Sequence, residues 1–282
     1  MKKLFFLLGS IFVLIPSVIA QTDLIVKDSL LYTYTKLYSL HSDSTLSLID
    51  TGSSLCAIDS TYAVDKMGIC LNETNKVRVN SRTNKLSTCL IDSVSFCGKI
   101  YRKVPCIVAD LKGIFQKYAP DFVIGADILR DRTLVFNLSS KKLYPVRNKT
   151  IKKEAVKLTW KDCKRYPDVP LSFIIFEAKI SGEDVCFAFD TGSRTNKLPI
   201  NFHPSSPELI QRETANLSSK LKTKTLKCYK NITFQIEKKQ YALDFFEGNY
   251  TYGLLNLEFL GGHSFILDYR KRNLVILPSE VL

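Results

Sequence analysis

Phe187-Ala188-Phe189-Asp190-Thr191-Gly192-Ser193 repeats, about half a chain later, the pattern of Leu48-Ile49-Asp50-Thr51-Gly52-Ser53. Each is an apolar run that ends in Asp-Thr-Gly-Ser. Such a run reads as a buried strand, and Asp-Thr-Gly as the sharp turn that closes it: Asp and Thr bond the backbone just ahead, and Gly permits the bend. One copy would mean only a loop. Two copies, each behind a strand, predict a duplicated fold that brings two carboxylates face to face.

The surrounding sequence repeats as well. Upstream of Asp50, Leu30 to Leu40 is strand-like and His41-Ser42-Asp43-Ser44 reads as a hairpin turn. Upstream of Asp190, Leu171 to Ile180 is an apolar strand and Ser181-Gly182-Glu183-Asp184 is the turn, at the same offset from its Asp. Downstream, Ile124 to Val146 aligns without a gap on Leu255 to Leu277. Only 2 of 23 positions are identical, Leu129 with Leu260 and Leu143 with Leu274, yet apolar residues coincide at 11. A period of about 130 to 140 residues is far too long for a solenoid, so the repeat predicts two lobes. Residues 21–146 form the expected N-terminal lobe and 169–282 the C-terminal lobe. The charged segment 147–168, with Pro167, is the expected linker, its Trp160 packing on a lobe.

Within the first lobe, Asp59 to Met67 is expected to be a short capped helix. Asn80 to Lys85 reads as a polar hairpin tip between Lys76–Val79 and Leu86–Ile91. Strands are also expected at Val94–Phe96 and Val104–Val108. In the second lobe, a helix is expected near Pro207 to Glu213, followed by strands at Asn231–Ile236 and Tyr241–Phe246.

The 282 residues are 45% hydrophobic and 24% charged, which suits a globular chain. Lys2 and Lys3, the apolar stretch Leu4 to Ile15 and the small-residue site Val18-Ile19-Ala20 predict a cleaved signal peptide over residues 1–20. The protein is therefore expected to be secreted or periplasmic, without stable membrane insertion. The net charge of +13 falls to +11 without Lys2 and Lys3. No nucleic-acid motif accompanies it, so it reads as a solvated face, and no nucleic-acid partner is expected. The even count of Cys (56, 70, 89, 97, 106, 163, 186 and 228) suggests disulfides in an exported chain. No Cys/His metal spacing occurs, so neither a metal nor another cofactor is expected.

On the paired Asp-Thr-Gly-Ser turns, and on the later segments Val123-Ile124-Gly125 and Leu254-Leu255-Asn256, the chain resembles aspartic peptidases of the pepsin/retropepsin superfamily. The resemblance covers nearly all of the chain after residue 20. It implies a mostly β, two-lobed aspartic-protease-like fold with pseudo-two-fold internal duplication, closer to a fused retropepsin-like pair. It implies Asp50 and Asp190 as the catalytic dyad, supported by Thr51, Gly52, Ser53, Thr191, Gly192 and Ser193. Gly125 and Asn256 would lie beside the dyad, and Ser81, Arg82, Thr83 and Asn84 would form a substrate-covering flap. In such a pair, carboxyls about 3 Å apart share one proton, and the ionised member activates a water while the other polarises the scissile carbonyl. Thr51 and Thr191 are expected to bond across the interface. Ser53 and Ser193 are expected to donate to the outer carboxylate oxygens, which would lower the first pKa of the pair and give an acidic optimum. The chain departs from the pattern at Asn256, where Gly is usual, and at the polar, basic run Arg194 to Lys197.

The expected activity is that of a monomeric exported endopeptidase that takes an extended peptide or protein segment between its lobes. The alternative is a catalytically impaired two-lobed protein of the cell envelope that binds a peptide or partner without cutting it.

Overall fold

The structure, a computed structural model, describes residues 21–71, 74–79, 82–146, 155–161, 170, 172–216 and 219–278. The expected signal peptide lies outside these residues, as does most of the expected linker. The chain is mostly β.

The first half opens with β1 (Thr22–Lys27), β2 (Leu30–Tyr38) and β3 (Ser42–Ile49), which pair in sequence as antiparallel neighbours. β4 (Cys56–Asp59) follows the first Asp-Thr-Gly-Ser turn. Next come β5 (Thr74–Val79), β6 (Arg82–Phe96) and β7 (Lys99–Ala109), antiparallel in order. A short helix, α1 (Leu111–Phe115), leads to β8 (Phe122–Ile124), and α2 (Ala126–Leu129) to β9 (Leu134–Asn137) and β10 (Lys142–Pro145). After β11 (Val156–Thr159) the second half repeats the plan. It contains β12 (Ile174–Ile180), β13 (Glu183–Phe189), β14 (Glu208–Asn216), β15 (Ser219–Ile236), β16 (Lys239–Phe246), β17 (Gly253–Leu255), β18 (Phe265–Asp268) and β19 (Asn273–Ile276).

The correspondence between halves is topological. The β2–β3 hairpin matches β12–β13, whose turn residues Ser181 and Gly182 have φ of 50° and 88°, as a tight two-residue hairpin loop requires. β8 runs parallel to β3, and β17 parallel to β13. The trio β5–β6–β7 matches β14–β15–β16. Strand β4 has no full counterpart: where it would fall, Lys197 alone bridges to Leu254 and Phe246.

The halves meet in six consecutive strands, ordered β11-β19-β18-β9-β10-β1. At the centre β9 and β18 pair antiparallel, Phe136 opposite Phe265, and the two fully buried rings stack at 4.4 Å. Burying each ring contributes about 1.5–3 kcal/mol, so the stacked pair adds apolar contact to the backbone pairing that ties the halves together. The order is palindromic, and β11 therefore takes the place in the second half that β1 takes in the first. Part of the expected linker thus belongs to the fold. Trp160, just after β11, is buried edge-on to Tyr269, 5.5 Å between ring centroids.

Three expected elements differ. Residues 208–216 are strand β14 where a helix was expected, because their backbone pairs in register with β15 (Ile210 opposite Leu226, Arg212 opposite Lys224). The hairpin tip of β5–β6 is shorter than Asn80–Lys85: Val79 already pairs with Arg82, so residues 82–85 belong to β6. The helical segment after Asp59 is one wide turn, Tyr62–Lys66, with Asp59 Oδ1 accepting from the Tyr62 N–H at 3.0 Å. Among the described residues, no helix is long and apolar enough to cross a membrane. No disulfide forms among the described cysteines, although Cys56, Cys106 and Cys89 occupy facing positions on β4, β7 and β6.

Candidate active site

β3 and β13 deliver the two Asp-Thr-Gly-Ser turns to the junction of the halves. Each strand is buried as it approaches its Asp, because a parallel strand covers its flank. That strand also fixes the Asp backbone. The Asp50 N–H donates to Ile124 O at 3.0 Å, and the Asp190 N–H to Leu255 O at 2.8 Å. The turns then close identically, with the Ser53 N–H bonding Asp50 O and the Ser193 N–H bonding Asp190 O.

The threonines lock the turns to one another. The Thr51 hydroxyl donates to Phe189 O at 2.8 Å and accepts from the Thr191 N–H at 3.0 Å. The Thr191 hydroxyl donates to Ile49 O at 2.7 Å and accepts from the Thr51 N–H at 3.2 Å. Both threonines are fully buried, so all four bonds are shielded from water.

The glycines bring the carboxyls together. A Cβ on Gly52 would stand 2.5 Å from Asp190 Cγ, and one on Gly192 would stand 2.4 Å from Asp50 Cγ. Each carboxyl therefore packs on the opposite glycine, a contact that any side chain would prevent. Each also accepts from the glycine of its own turn: Gly52 N–H to Asp50 Oδ1 at 2.8 Å, Gly192 N–H to Asp190 Oδ1 at 2.9 Å. The two carboxyls lie within hydrogen-bonding reach of each other.

The pair is electrostatically unequal. Burial, then the charge of Asp190, holds the Asp50 carboxyl well above its ordinary range. Burial also raises Asp190, but the Gly192 N–H, the Asp50 carboxyl and the Lys197 ammonium oppose the rise. Burial thus raises both carboxyls, Asp50 the further, and the Lys197 ammonium favours charge on Asp190. Lys197 is the cause of the asymmetry that has no counterpart in the first half, where Ala57 pairs with β8 as Lys197 pairs with Leu254. Burial pushes the Lys197 ammonium below its ordinary range, against the pull of Asp190.

The expected serine contacts are different. The Ser53 hydroxyl donates to Leu55 O at 2.7 Å and that of Ser193 to Thr195 O at 2.8 Å. The serine side chains brace the loops after the turns, while backbone N–H groups serve the carboxylates. Where donors were expected to lower the first pKa of the pair, burial acts in the opposite direction and raises both carboxyls.

Asn256 fits without strain. Its φ is −90°, close to the −92° of Gly125, so no left-handed backbone is involved. Space decides instead. A Cβ on Gly125 would meet the Leu55 carbonyl at 2.5 Å. In the second half the buried Asn196 accepts from the Asn256 N–H at 2.9 Å, and Asn256 Oδ1 accepts from the Glu258 N–H at 3.0 Å.

Of the expected flap, Ser81 lies outside the described residues, as do the side chains of Arg82, Thr83 and Asn84 on β6. The topology adds a second hairpin, β14–β15, in the matching position of the second half. It reaches across to the first half, where Glu213 pairs with Lys117 at 3.0 Å. Arg194 also crosses over: its guanidinium lies 4.0 Å from the Tyr118 ring centroid. Sequence reasoning also missed Tyr250 and Tyr269. Burial, then the Asp190 charge, pushes the Tyr250 phenol up to about 12, and Tyr269 is raised by burial and both carboxyls. Nothing in their local sequence marks them. Among the described residues, no group of three or more His, Cys, Asp or Glu is placed to hold a metal.

The chain matches no protein-family model, and no curated protein matches it.

Proposed function

We propose that this protein is an aspartic endopeptidase with two fused lobes, each half of the chain forming one lobe and Asp50 and Asp190 forming the dyad. One observation carries the reading: two buried carboxyls packed on each other's glycines, held by four reciprocal threonine bonds. Asp190, ionised beside Lys197, takes a proton from a water held between the carboxyls. Asp50, protonated, donates to the scissile carbonyl as the water attacks. The tetrahedral intermediate then collapses, and a proton passes to the leaving amine. The substrate is an extended peptide or protein segment lying between the lobes, and the enzyme works as a monomer because one chain supplies both carboxyls. Export, by way of the signal peptide at residues 1–20, is part of the proposal and rests on the sequence.

The working form is the singly protonated pair. Both carboxyls titrate above the ordinary range, Asp50 well above it. Activity should therefore begin above ordinary carboxylate pKa values and extend toward neutral pH, a less acidic window than the turns alone suggest.

The test is hydrolysis of denatured casein from pH 3 to 8, with and without pepstatin, beside Asp50→Asn and Asp190→Asn. Pepstatin-sensitive cleavage abolished by both substitutions is the expected result. Equal inactivity of all three folded proteins would overturn the reading. It would favour a two-lobed peptide-binding protein, for which the crossing of Arg194 and Glu213 onto the first half is the supporting observation.

A further inference from the structure

The basic run after the second turn opens a different question. Lys197 is held by backbone bonds in both directions with Leu254, at 2.9 and 2.8 Å, directly after the Asp190 turn. Its ammonium feels the charges of Asp190 and Lys224. Lys224 stands opposite Arg212 in the β14–β15 register, so both project from one face of that hairpin. The Arg212 guanidinium lies 5.0 Å from the centroid of Phe246, the residue bridged to Lys197, and donates to Arg194 O at 3.0 Å. Arg194 completes the group, its Nε buried without a hydrogen-bond partner.

Four cationic residues thus belong to the turn and hairpin on the Asp190 side of the carboxyl pair, with the Arg194 guanidinium reaching over to Tyr118. Among the described residues, no ion pair joins any of them to a carboxylate. The nearby acids are engaged elsewhere: Glu213 with Lys117, Asp244 with Lys230, and Glu258 with Asn196 and Ser29. Arg194 and Arg212 also line a cavity of about 170 Å³, shared with Asn196, Phe246, Glu258 and the Lys230–Asp244 pair, while Lys197 and Lys224 lie outside its lining. The first half offers Ser54 and Ala57 at the positions of Arg194 and Lys197. Unpaired cations held near one another repel, most where Arg194, Lys197 and Arg212 are partly buried and less at the exposed Lys224, and an incoming anion relieves that repulsion.

We infer that the second-lobe side of the cleft is an anion-accepting subsite, and that the preferred substrate carries an Asp or Glu side chain within two residues of the scissile bond on that side. This rests on the peptidase reading above. An extended peptide advances roughly 3.3 Å per residue, so only residues that close to the bond reach Lys197 while the bond lies at the carboxyls. Neutral hydrogen-bonding side chains would gain less than a charged one, since charge-assisted bonds are about twice as strong.

The experiment uses a peptide library digested by the protein and read by mass spectrometry, followed by matched Glu and Gln peptides. Expected is an enrichment of Asp and Glu at one position, with a Glu-over-Gln preference in kcat/KM of roughly tenfold. Lys197→Met and Lys224→Gln should each reduce that preference, and higher salt should weaken it. Lys141→Gln with Lys271→Gln, which removes two charges on distant turns where each single variant removes one, should leave it unchanged. Cleavage without acidic enrichment overturns the inference and leaves the peptidase reading standing, as does enrichment indifferent to Lys197 and Lys224. A second measurement is independent of catalysis: binding of fluorescein-labelled Glu-rich and Gln-rich decapeptides to the Asp50→Asn protein. Tighter Glu-rich binding that is lost in the Lys197→Met background supports the subsite even where no cleavage occurs, and equal binding overturns it.

Discussion

Replacing Thr51 with Val removes one hydroxyl at constant shape and strips two bonds from the junction. The Thr191 N–H loses its acceptor and Phe189 O loses its donor. Both groups stay buried, and a buried polar group left unpaired costs about 1–3 kcal/mol. The expected destabilisation is therefore about 2–5 kcal/mol, a large part of the roughly 5–15 kcal/mol available to a folded domain. At about 2–4 °C per kcal/mol for a chain of this size, Tm should fall by roughly 5–15 °C. Thr191→Val removes the mirror-image pair of bonds and should cost a similar amount. The double variant should cost less than the sum, because once one hydroxyl is gone the junction can relax and admit water to the other. Urea unfolding and casein hydrolysis, measured on the same preparations, provide the readout. Thr33→Val, which removes a single hydroxyl bond to Asp23 O away from the junction, serves as the control and should cost about half as much. Losses below about 0.5 kcal/mol in both junction variants, with activity intact, would refute the view that these bonds hold the carboxyls in place.

Three further outcomes follow from the same geometry. Gly192→Ala places a Cβ where Asp50 Cγ now sits 2.4 Å away, so the carboxyls must separate; activity should drop roughly 100-fold or more with the fold retained by circular dichroism. Asp50→Asn should be more heat-stable than the wild type at neutral pH. A carboxyl whose pKa is raised by folding contributes its full stability below its unfolded pKa of about 3.9 and loses it as pH rises through the folded value, so the advantage should vanish below about pH 4 when Tm is followed against pH. Asn256→Gly removes the acceptor for the Glu258 N–H and should cost about 1 kcal/mol in urea unfolding while sparing hydrolysis; a larger loss of activity than of stability would place Asn256 in the chemistry itself.

The parts of the fold that showed in the sequence are those where burial imposes a period. β3 and β13 run apolar into their turns because a parallel neighbour covers them, and β9–β10 align with β18–β19 because both pairs face the shared core. The β14–β15 hairpin stayed hidden for the opposite reason. Residues such as Leu209, Gln211, Lys222 and Lys224 are exposed, so no alternation marks the strands, and Pro207 with the following acidic residue imitates a helix start. β11 is four residues long within a charged run and owes its conformation to β19. The fit of Asn256 depends on Asn196, sixty residues away, and the turn of the serine hydroxyls toward Leu55 O and Thr195 O depends on loop geometry that sequence does not encode locally.

The departures from symmetry form a pattern of their own. Duplication by itself would give two equivalent carboxyls, with no reason for the proton to prefer either. Asn196, Lys197, Arg194 and Asn256 all differ from their first-half counterparts, and all lie on the side of Asp190. Asn196 and Asn256 bond each other and preserve the turn despite the missing glycine, which frees the adjacent run to change. Lys197 uses that freedom to favour charge on Asp190, while burial and the Asp190 charge raise Asp50. In the proposed enzyme one cluster of second-half substitutions would thus set two properties together: which carboxyl activates the water, and which side of the cleft attracts an acidic residue. The two are separable by experiment, since Lys224→Gln should alter the substrate preference with little effect on the pH profile, whereas Lys197→Met should alter both.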